Sequence, residues 1–408
     1  MDIRQLSAKE FKDFNDNHPM GNYRQTLNFA LLKAQNDYEY EMIGYVDNNN
    51  NIKAAALVLV KLLNGHIYAY IPEGMLIDYN NSSLVKDFTE KMVDFYKGEK
   101  IFLIRINPPV IQSEIDIKTF EPKNMINENV LHILEDAGWI KYDDALIKKY
   151  NTIIELDNYK EENLSKNAKN KIRKGLRKGL SIELADVKDL DILIKFAAKK
   201  MKVPEYYYND IYTLFNKDDS IDYFLVKINY KNYVFNSQNA YQKELKRNEK
   251  IIEKLSTRNN EKNVNKKMSS DNTLRTYKED VAKAASKLNT ESSDYVAGAF
   301  VIKQGNKATI VVSAYNKKYK DFAPNYFLYN EIIKYYKGKY KYLDLNGILG
   351  DNDKNNPFYG VNKFKLGFKP NMYQPIGDYV YILNKRLYNK LNKKGILQKE
   401  FNLEKMGK

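Results

Sequence analysis

Two stretches of heptad-spaced residues in the middle of the chain constrain its fold more than any other feature. Tyr241, Leu245, Asn248, Ile252 and Leu255 step by four and three, and Leu274, Tyr277, Val281, Ala284 and Leu288 step by three and four. That spacing is an a/d seam on each of two helices. The polar stretch from Thr257 to Thr273 is long enough to turn the chain back, so that each narrow seam buries the other. The pattern predicts an antiparallel coiled-coil arm over residues 238–292, and the arm must project, since nothing else covers its outer faces. From Gln238 to Thr290 there are thirteen Lys/Arg against seven Asp/Glu, and the tip carries Arg258, Lys262, Lys266 and Lys267. A basic rod suits a polyanion; a solvated hairpin kept soluble by its lysines fits the same charge.

The flanking sequence reads as two α/β units of similar order. In the first, Ser7–Asn15 and Thr26–Ala34 have helical spacing, and Ile52–Leu63 and His66–Ile71 are strands joined by an Asn64-Gly65 turn. Leu84–Tyr96 and Asn127–Ala137 follow as helices, with Ile101–Ile106 and Ile147–Leu156 as strands. In the second, helices Leu190–Met201 and Tyr206–Phe215 precede strand Ile221–Ile228; the arm interrupts, and Val296–Lys303, Lys307–Tyr315, Tyr342–Asn346 and Tyr379–Leu383 continue as strands around helix Phe327–Tyr336. Hairpins mixed with helices predict two mixed sheets rather than one doubly wound sheet. The expected division is 1–155 for the first unit, 156–237 and 293–380 for the second, 238–292 for the arm, and a tail at 381–408 that packs back on the first unit.

Composition narrows the chemistry. The chain of 408 residues has 67 basic and 52 acidic residues and a formal charge of +15, which favours anionic partners. It contains no cysteine, which excludes disulfides, thiolate zinc sites and a cysteine nucleophile. Its three histidines, His18, His66 and His132, have no local ligand partners and read as structural or surface residues; no metal or cofactor is expected. The charged start, Met1–Phe14, has no signal-peptide core, and the longest apolar run, Ala54–Val60, is a buried strand rather than a membrane span. These features predict a cytoplasmic protein with peripheral membrane contact.

Two segments carry candidate chemistry. Leu164–Leu180 contains seven Lys/Arg and no acid. On a helix Leu164, Ala168, Ile172 and Leu176 form one apolar stripe, while Lys166, Asn170, Arg173 and Arg177 share another face. Such a helix docks on the core and shows its cations to phosphates, of nucleic acid first and of acidic lipid second; a solvated charged face is the competing reading. Asn362–Pro370, NKFKLGFKP, follows a glycine-containing loop; in an extended segment Lys363 and Lys365 face one way and Phe364 the other. A fixed cation there suits stabilisation of charge at an acyl carbonyl or ribose phosphate, and a turn with two solvated lysines fits as well. No phosphate-loop, dinucleotide, serine-hydrolase or zinc-protease motif occurs, nor the Gln/Arg-x-x-Gly-x-Gly/Ala loop that seats coenzyme A.

Taken together, the QTLNFALLK helix, the SKNAKNKIRKGLRKGLSIELAD segment, the hairpin at 238–292, NYFLYNEIIKYY, and YLDLNGILGD with NPFYGVNKFKLGFKP and IGDYVYILN resemble the FemABX peptidyltransferases over nearly the whole chain. The resemblance implies two acetyltransferase-like (GNAT-type) domains with the coiled-coil arm in the second. It implies transfer of Gly, Ser, Ala or Thr from aminoacyl-tRNA to the stem-peptide amine of lipid II or another muropeptide precursor, building the interpeptide bridge. Implied partners are therefore aminoacyl-tRNA, that precursor, the inner membrane face, and further copies of the chain or related transferases. Lys33 matches a family position that contacts the precursor's phosphates, and Lys202 and Tyr206 resemble an Arg and a Tyr around the same group; Lys at 202 keeps the charge but loses the bidentate fork. Phe364 and Lys365 resemble the pair at the tRNA acceptor end, where Lys365 would stabilise the tetrahedral intermediate or the leaving ribose oxygen; Lys363 beside them is a further substrate-binding candidate. Arg173, Lys174, Arg177, Arg258, Lys262 and Lys266 are the tRNA-binding candidates. An activated ester needs no metal and no covalent enzyme intermediate. Asp344 and Asp351 are candidates for a general base, and each equally suits a turn. A non-catalytic tRNA- or RNA-binding protein, or an aminoacyl-tRNA-dependent transferase with another acceptor, are the alternatives.

Overall fold

The computed structural model describes residues 1–142, 149–198, 204–289, 293–350 and 353–405. Two mixed sheets form the body, of seven and nine strands. The first runs Asp2–Gln5, Glu39–Val46, Ile52–Leu63, His66–Ile71, Ile101–Ile106, Asp378–Ile382, Ile140–Tyr142; the second runs Leu180–Leu184, Ile221–Asn229, Ser293–Gln304, Lys307–Tyr315, Tyr342–Asp344, Asn151–Glu155, Asn371–Pro375, Ile111–Ile115, Pro122–Met125. Each sheet has one parallel pair, His66–Ile71 with Ile101–Ile106 and Lys307–Tyr315 with Tyr342–Asp344. A parallel pair needs a crossover, and helices Ser82–Phe95 and Pro324–Tyr336 supply it.

Local sequence explains most boundaries. Ser7 and Glu10 form a reciprocal capping box on helix Ala8–Asn17, and Thr26 caps Leu27–Ala34 through the Phe29 amide. Asn64 and Gly65 both take positive φ, 50° and 79°, as a two-residue hairpin turn requires. The two sheets are stitched together by exchanged strands. Ile111–Ile115 and Pro122–Met125 leave the first sheet's sequence neighbourhood for the second sheet, while the late strand Asp378–Ile382 enters the first between Ile101–Ile106 and Ile140–Tyr142. Residues 1–155 therefore do not complete a sheet alone. A core shared by both lobes joins Phe29, Tyr38, Tyr68 and Phe102 to Tyr208, Phe215 and Phe300, and takes in Leu391, Leu397 and Phe401 from helices Lys385–Lys393 and Ile396–Lys405.

The basic segment is the helix Lys166–Arg177, capped by Ser165. Leu164, Ala168 and Ile172 are buried as expected, but Leu176 is 47% exposed. Gly175 takes the inward position instead, because a Cβ there would lie 3.1 Å from the Leu180 side chain and 3.2 Å from Phe327.

The hairpin is longer than its apolar spacing predicts, and it keeps the predicted seam except at Ile252 and Leu288, which are exposed. Its helices, Tyr230–Thr257 and Glu261–Leu288, have 28 residues each, about 42 Å at 1.5 Å per residue. The turn is only residues 258–260, and most of the polar stretch expected as a tip is helix begun by an Asn260 cap. Tyr230 and Tyr233 are buried in the body; Asn248 and Ala284 of the predicted seam are buried, and Ser237, Glu244 and Ser270 join them on the inner face. The seam is closed by polar pairs. Ser270 Oγ donates to Glu244 Oε1 at 2.6 Å, and Asn248 Nδ2 to Asp271 Oδ1 at 2.8 Å. Apolar periodicity missed Glu244 and Ser270 because their inward position rests on a hydrogen bond between the two helices.

At the base, Lys178 Nζ lies 4.9 Å from each of the Tyr233 and Phe322 ring centroids, donates to Tyr233 OH at 2.7 Å, and pairs with Asp280 of the returning helix. Gly179 follows with φ +72°, and a Cβ there would meet Asn229 O at 2.6 Å and the Tyr233 amide nitrogen at 2.7 Å. Gly179→Ala should therefore lower stability by about 1–3 kcal/mol, read as a fall in the urea midpoint. An unchanged midpoint would show that the arm's first turn shifts freely.

Candidate functional site

The strand Tyr342–Asp344 ends in a loop whose backbone is held from within. Asp344 Oδ1 accepts from the Asn346 amide at 2.6 Å, and Asn346 Oδ1 accepts from the Gly347 amide at 2.8 Å. Asn346 sits at φ +70°, a conformation Asn tolerates better than most residues, and Thr152 Oγ1 donates to its carbonyl at 2.7 Å. The next carbonyl, Gly347 O, accepts from Lys365 Nζ at 3.1 Å. Burial raises the Asp344 carboxyl above its ordinary range, with Lys307 the chief opposing charge and Lys365 a further one.

Lys365 reaches this loop because its segment is not extended as expected. Residues Tyr359–Leu366 form a helix. Phe364 and Phe368, one turn apart, pack on Tyr326 and Tyr329, with Phe364 ring centroids 4.8 and 4.7 Å from theirs. Helical geometry puts residues two apart on roughly opposite sides. Lys365 therefore turns inward, 8% exposed, while Lys363 is exposed and Phe364 is half-buried. Lys363 lines an open pocket of about 310 Å³ with Asn362, Gly367 and, from the start of the basic helix, Ser165 and Asn167.

The first lobe contributes a second set of polar groups. Gln25 Nε2 donates to Pro72 O at 2.6 Å, Asn22 Nδ2 to Glu73 O at 2.8 Å, and the Glu73 amide to Asn107 Oδ1 at 2.9 Å. These bonds hold Glu73 at φ +45°. Its carboxylate pairs with Arg24 at 3.0 Å, and the guanidinium lies 5.3 Å from the Tyr23 ring centroid. Burial pushes the Tyr23 hydroxyl well above its ordinary range, against the pull of Arg24 and with Tyr207 and the carboxylates of Glu73 and Asp344 acting in the same direction as burial. Arg24, Glu73, Tyr207 and Asp344 thus form one electrostatic neighbourhood drawn from both lobes. Sequence reasoning missed all but Asp344. The only local signal was Pro72-Glu73-Gly74 closing an apolar strand, which marks a turn without saying what it faces.

The remaining sequence candidates are scattered. Lys33 is 4% exposed, within 5.9 and 5.5 Å of the Phe29 and Tyr38 ring centroids. Tyr206 is exposed, while its neighbour Tyr207 is turned toward Arg24. Arg173 points outward as expected and Lys174 is half-buried. Arg177 does not join them: it stacks on Tyr277 at 4.6 Å and lies 3.9 Å from Asp280, because the arm base packs over that end of the helix. Arg258, Lys262 and Lys266 are exposed at the far end of the arm. Lys202 and Asp351 lie outside the described residues.

Two mixed sheets stitched by strand exchange, with a lysine-bearing helix at the end of one parallel pair and a helical hairpin inserted in the second sheet, define a two-lobed α/β protein with a projecting arm. The chain belongs to the FemAB family, whose model matches residues 6–393. It is 25% identical over 407 residues to a lipid II:glycine glycyltransferase of Staphylococcus epidermidis, covering 96% of this chain and 95% of the relative. It is 24% identical over 410 residues to the aminoacyltransferase FemA of the same species, covering 95% and 98%. The crystal structure of FemX shares the fold, with a TM-score of 0.74 and 21% identity over 96% of this chain and all of that one.

Proposed function

We propose that this protein is an aminoacyltransferase that moves an amino acid from aminoacyl-tRNA to the stem-peptide amine of a lipid-linked peptidoglycan precursor, building the interpeptide bridge. Membership of the FemAB family and relatives with glycyltransferase and aminoacyltransferase names support the reaction class. The observation that carries the site is the buried Lys365 ammonium held at Gly347 O beside Asp344. In this reading each lobe is an acetyltransferase-like unit and the hairpin a coiled-coil arm. Among the described residues no helix is long and apolar enough to cross a membrane, and a peripheral contact with the inner face would bring the enzyme to its acceptor.

The chemistry follows from an ester that is already activated. The acceptor amine attacks the aminoacyl carbonyl; a C–N bond forms, and negative charge develops on the carbonyl oxygen. The Lys365 ammonium stabilises that oxyanion or the departing ribose oxygen. The ionised Asp344 carboxylate, made more basic by burial, takes the proton the amine loses and returns it to the ribose oxygen, which leaves as a hydroxyl as the C–O bond breaks. Phe364 fixes the helix that presents Lys365, and Lys363 lines the adjoining pocket as a contact for the acceptor end of tRNA. Lys33, Lys202 and Tyr206 serve the acceptor's phosphates and stem. Arg173, Lys174 and the tip residues Arg258, Lys262 and Lys266 serve the tRNA backbone, whereas Arg177 is engaged by Tyr277 and Asp280 at the arm base.

The test is a transfer assay with purified protein, a lipid-linked muropeptide, and tRNA charged separately with labelled glycine, serine, alanine or threonine. Label entering the lipid from one charged tRNA is the expected result. Salt-sensitive tRNA binding with no transfer from any of the four would favour an RNA-binding protein instead.

A further inference from the structure

We propose that helix Ile396–Lys405 is a displaceable cover over an anion site in the first lobe, with the Glu400 carboxylate standing where a phosphate oxygen of the acceptor binds. Lys61 Nζ pairs with Glu400 Oε1 at 2.7 Å, and Tyr68 OH donates to the same oxygen at 3.3 Å. Tyr38 and Tyr68 hydroxyls are 3.3 Å apart, and the Tyr38 ring has Lys61 Nζ at 4.8 Å and Lys33 Nζ at 5.5 Å from its centroid. An ammonium and a phenol converging on one anionic oxygen are a donor set that takes phosphate as readily as carboxylate.

Three observations set the Glu400 carboxylate apart from Lys61 and Tyr68, which the first sheet fixes. Lys61 and Tyr68 stand on paired strands of the first sheet, whereas Glu400 comes from a helix whose body lies beyond the stretch 6–393 that the family model matches. The helix is reached through Gly395, at φ +67°, around which an added Cβ would meet nothing within 4 Å. Lys33 is 4% exposed, so a phosphate arriving from solvent can reach it only after something moves. Leu397 and Phe401 anchor the cover, and Phe401 lies under the Arg105 guanidinium at 4.1 Å, itself held by Asp378. The acceptor's phosphates therefore compete with Glu400 for Lys61 and Tyr68. This rests on the proposed function only for the identity of the anion.

The experiment is hydrogen exchange of residues 396–405 together with calorimetric binding, using inorganic pyrophosphate and a nucleoside-diphosphate-linked muropeptide as probes. Either probe at saturation should raise exchange in residues 396–405 of the unaltered protein. Glu400→Gln, which keeps the shape and removes the competing charge, should bind pyrophosphate about tenfold more tightly, and adding Lys61→Ala should remove that gain. A helix that stays protected under saturating probe, or an affinity unchanged in Glu400→Gln, overturns the proposal. Because the exchange measurement needs no substitution, a poorly folded variant cannot mask the outcome. Transfer activity with a helix that never opens would sink the cover and leave the transferase reading intact; pyrophosphate-induced opening without any transfer would do the reverse.

Discussion

Replacing Lys365 with methionine should lower the rate of aminoacyl transfer by about 10²–10³-fold, the loss found when one preorganised oxyanion donor is removed. Methionine keeps most of the stem's volume in a site where Lys365 is 8% exposed, so what disappears is the charge and the bond to Gly347 O. If the ammonium acts on the transition state, kcat and kcat/KM fall together while acceptor affinity is nearly unmoved. Single-turnover rates at saturating acceptor, paired with direct binding, separate the two effects. A loss confined to binding would reduce Lys365 to a substrate contact.

The second large effect lies at the arm's base. Asp280→Ala should destabilise the protein by about 3–5 kcal/mol, because it leaves a buried ammonium without its counter-charge. Lys178 is 8% exposed and Asp280 7%. Burial already pulls the Lys178 ammonium below its ordinary range against the hold of Asp280. The Tyr233 hydroxyl would remain as a partner, but a neutral oxygen does not replace a carboxylate. Combining Asp280→Leu with Lys178→Met should recover most of the loss, since a well-packed apolar pair often equals a buried ion pair. Urea midpoints of Asp280→Leu, Lys178→Met and their combination form the cycle; a cost of Asp280→Ala below about 1 kcal/mol would mean that water reaches the ammonium.

How far the sequence foretold this structure depends on which forces act locally. The Asn64-Gly65 turn and the Ser7 and Thr26 caps were legible because a few adjacent residues satisfy their own backbone. The arm was legible as a hairpin with most of its seam, but the polar residues that join the seam were not. Glu244 and Ser270 face inward on the strength of their bond across the two helices, and no single-helix pattern displays that. NKFKLGFKP was read as extended although Phe364 and Phe368 stand one turn apart, and only Tyr326 and Tyr329, on a distant helix, select that spacing. Of the candidate site, Lys365 and Asp344 were named from sequence, and the structure brings both to one loop. Arg24 and Glu73 were invisible because they are 49 residues apart and meet only through tertiary packing.

The exchanged strands also bear on synthesis. As the chain leaves the ribosome, the strand from Ile140 to Tyr142 has no neighbour in its own sheet, because its place is beside Asp378–Ile382. The buried Arg105 likewise waits for Asp378, 273 residues later, to balance its charge. The N-terminal lobe cannot reach its final form co-translationally by closing on itself. Folding is completed only when nearly the whole chain has emerged, so nascent chains expose an open sheet edge for most of their synthesis, and holding that edge apart from other chains is a task for the cell's chaperones.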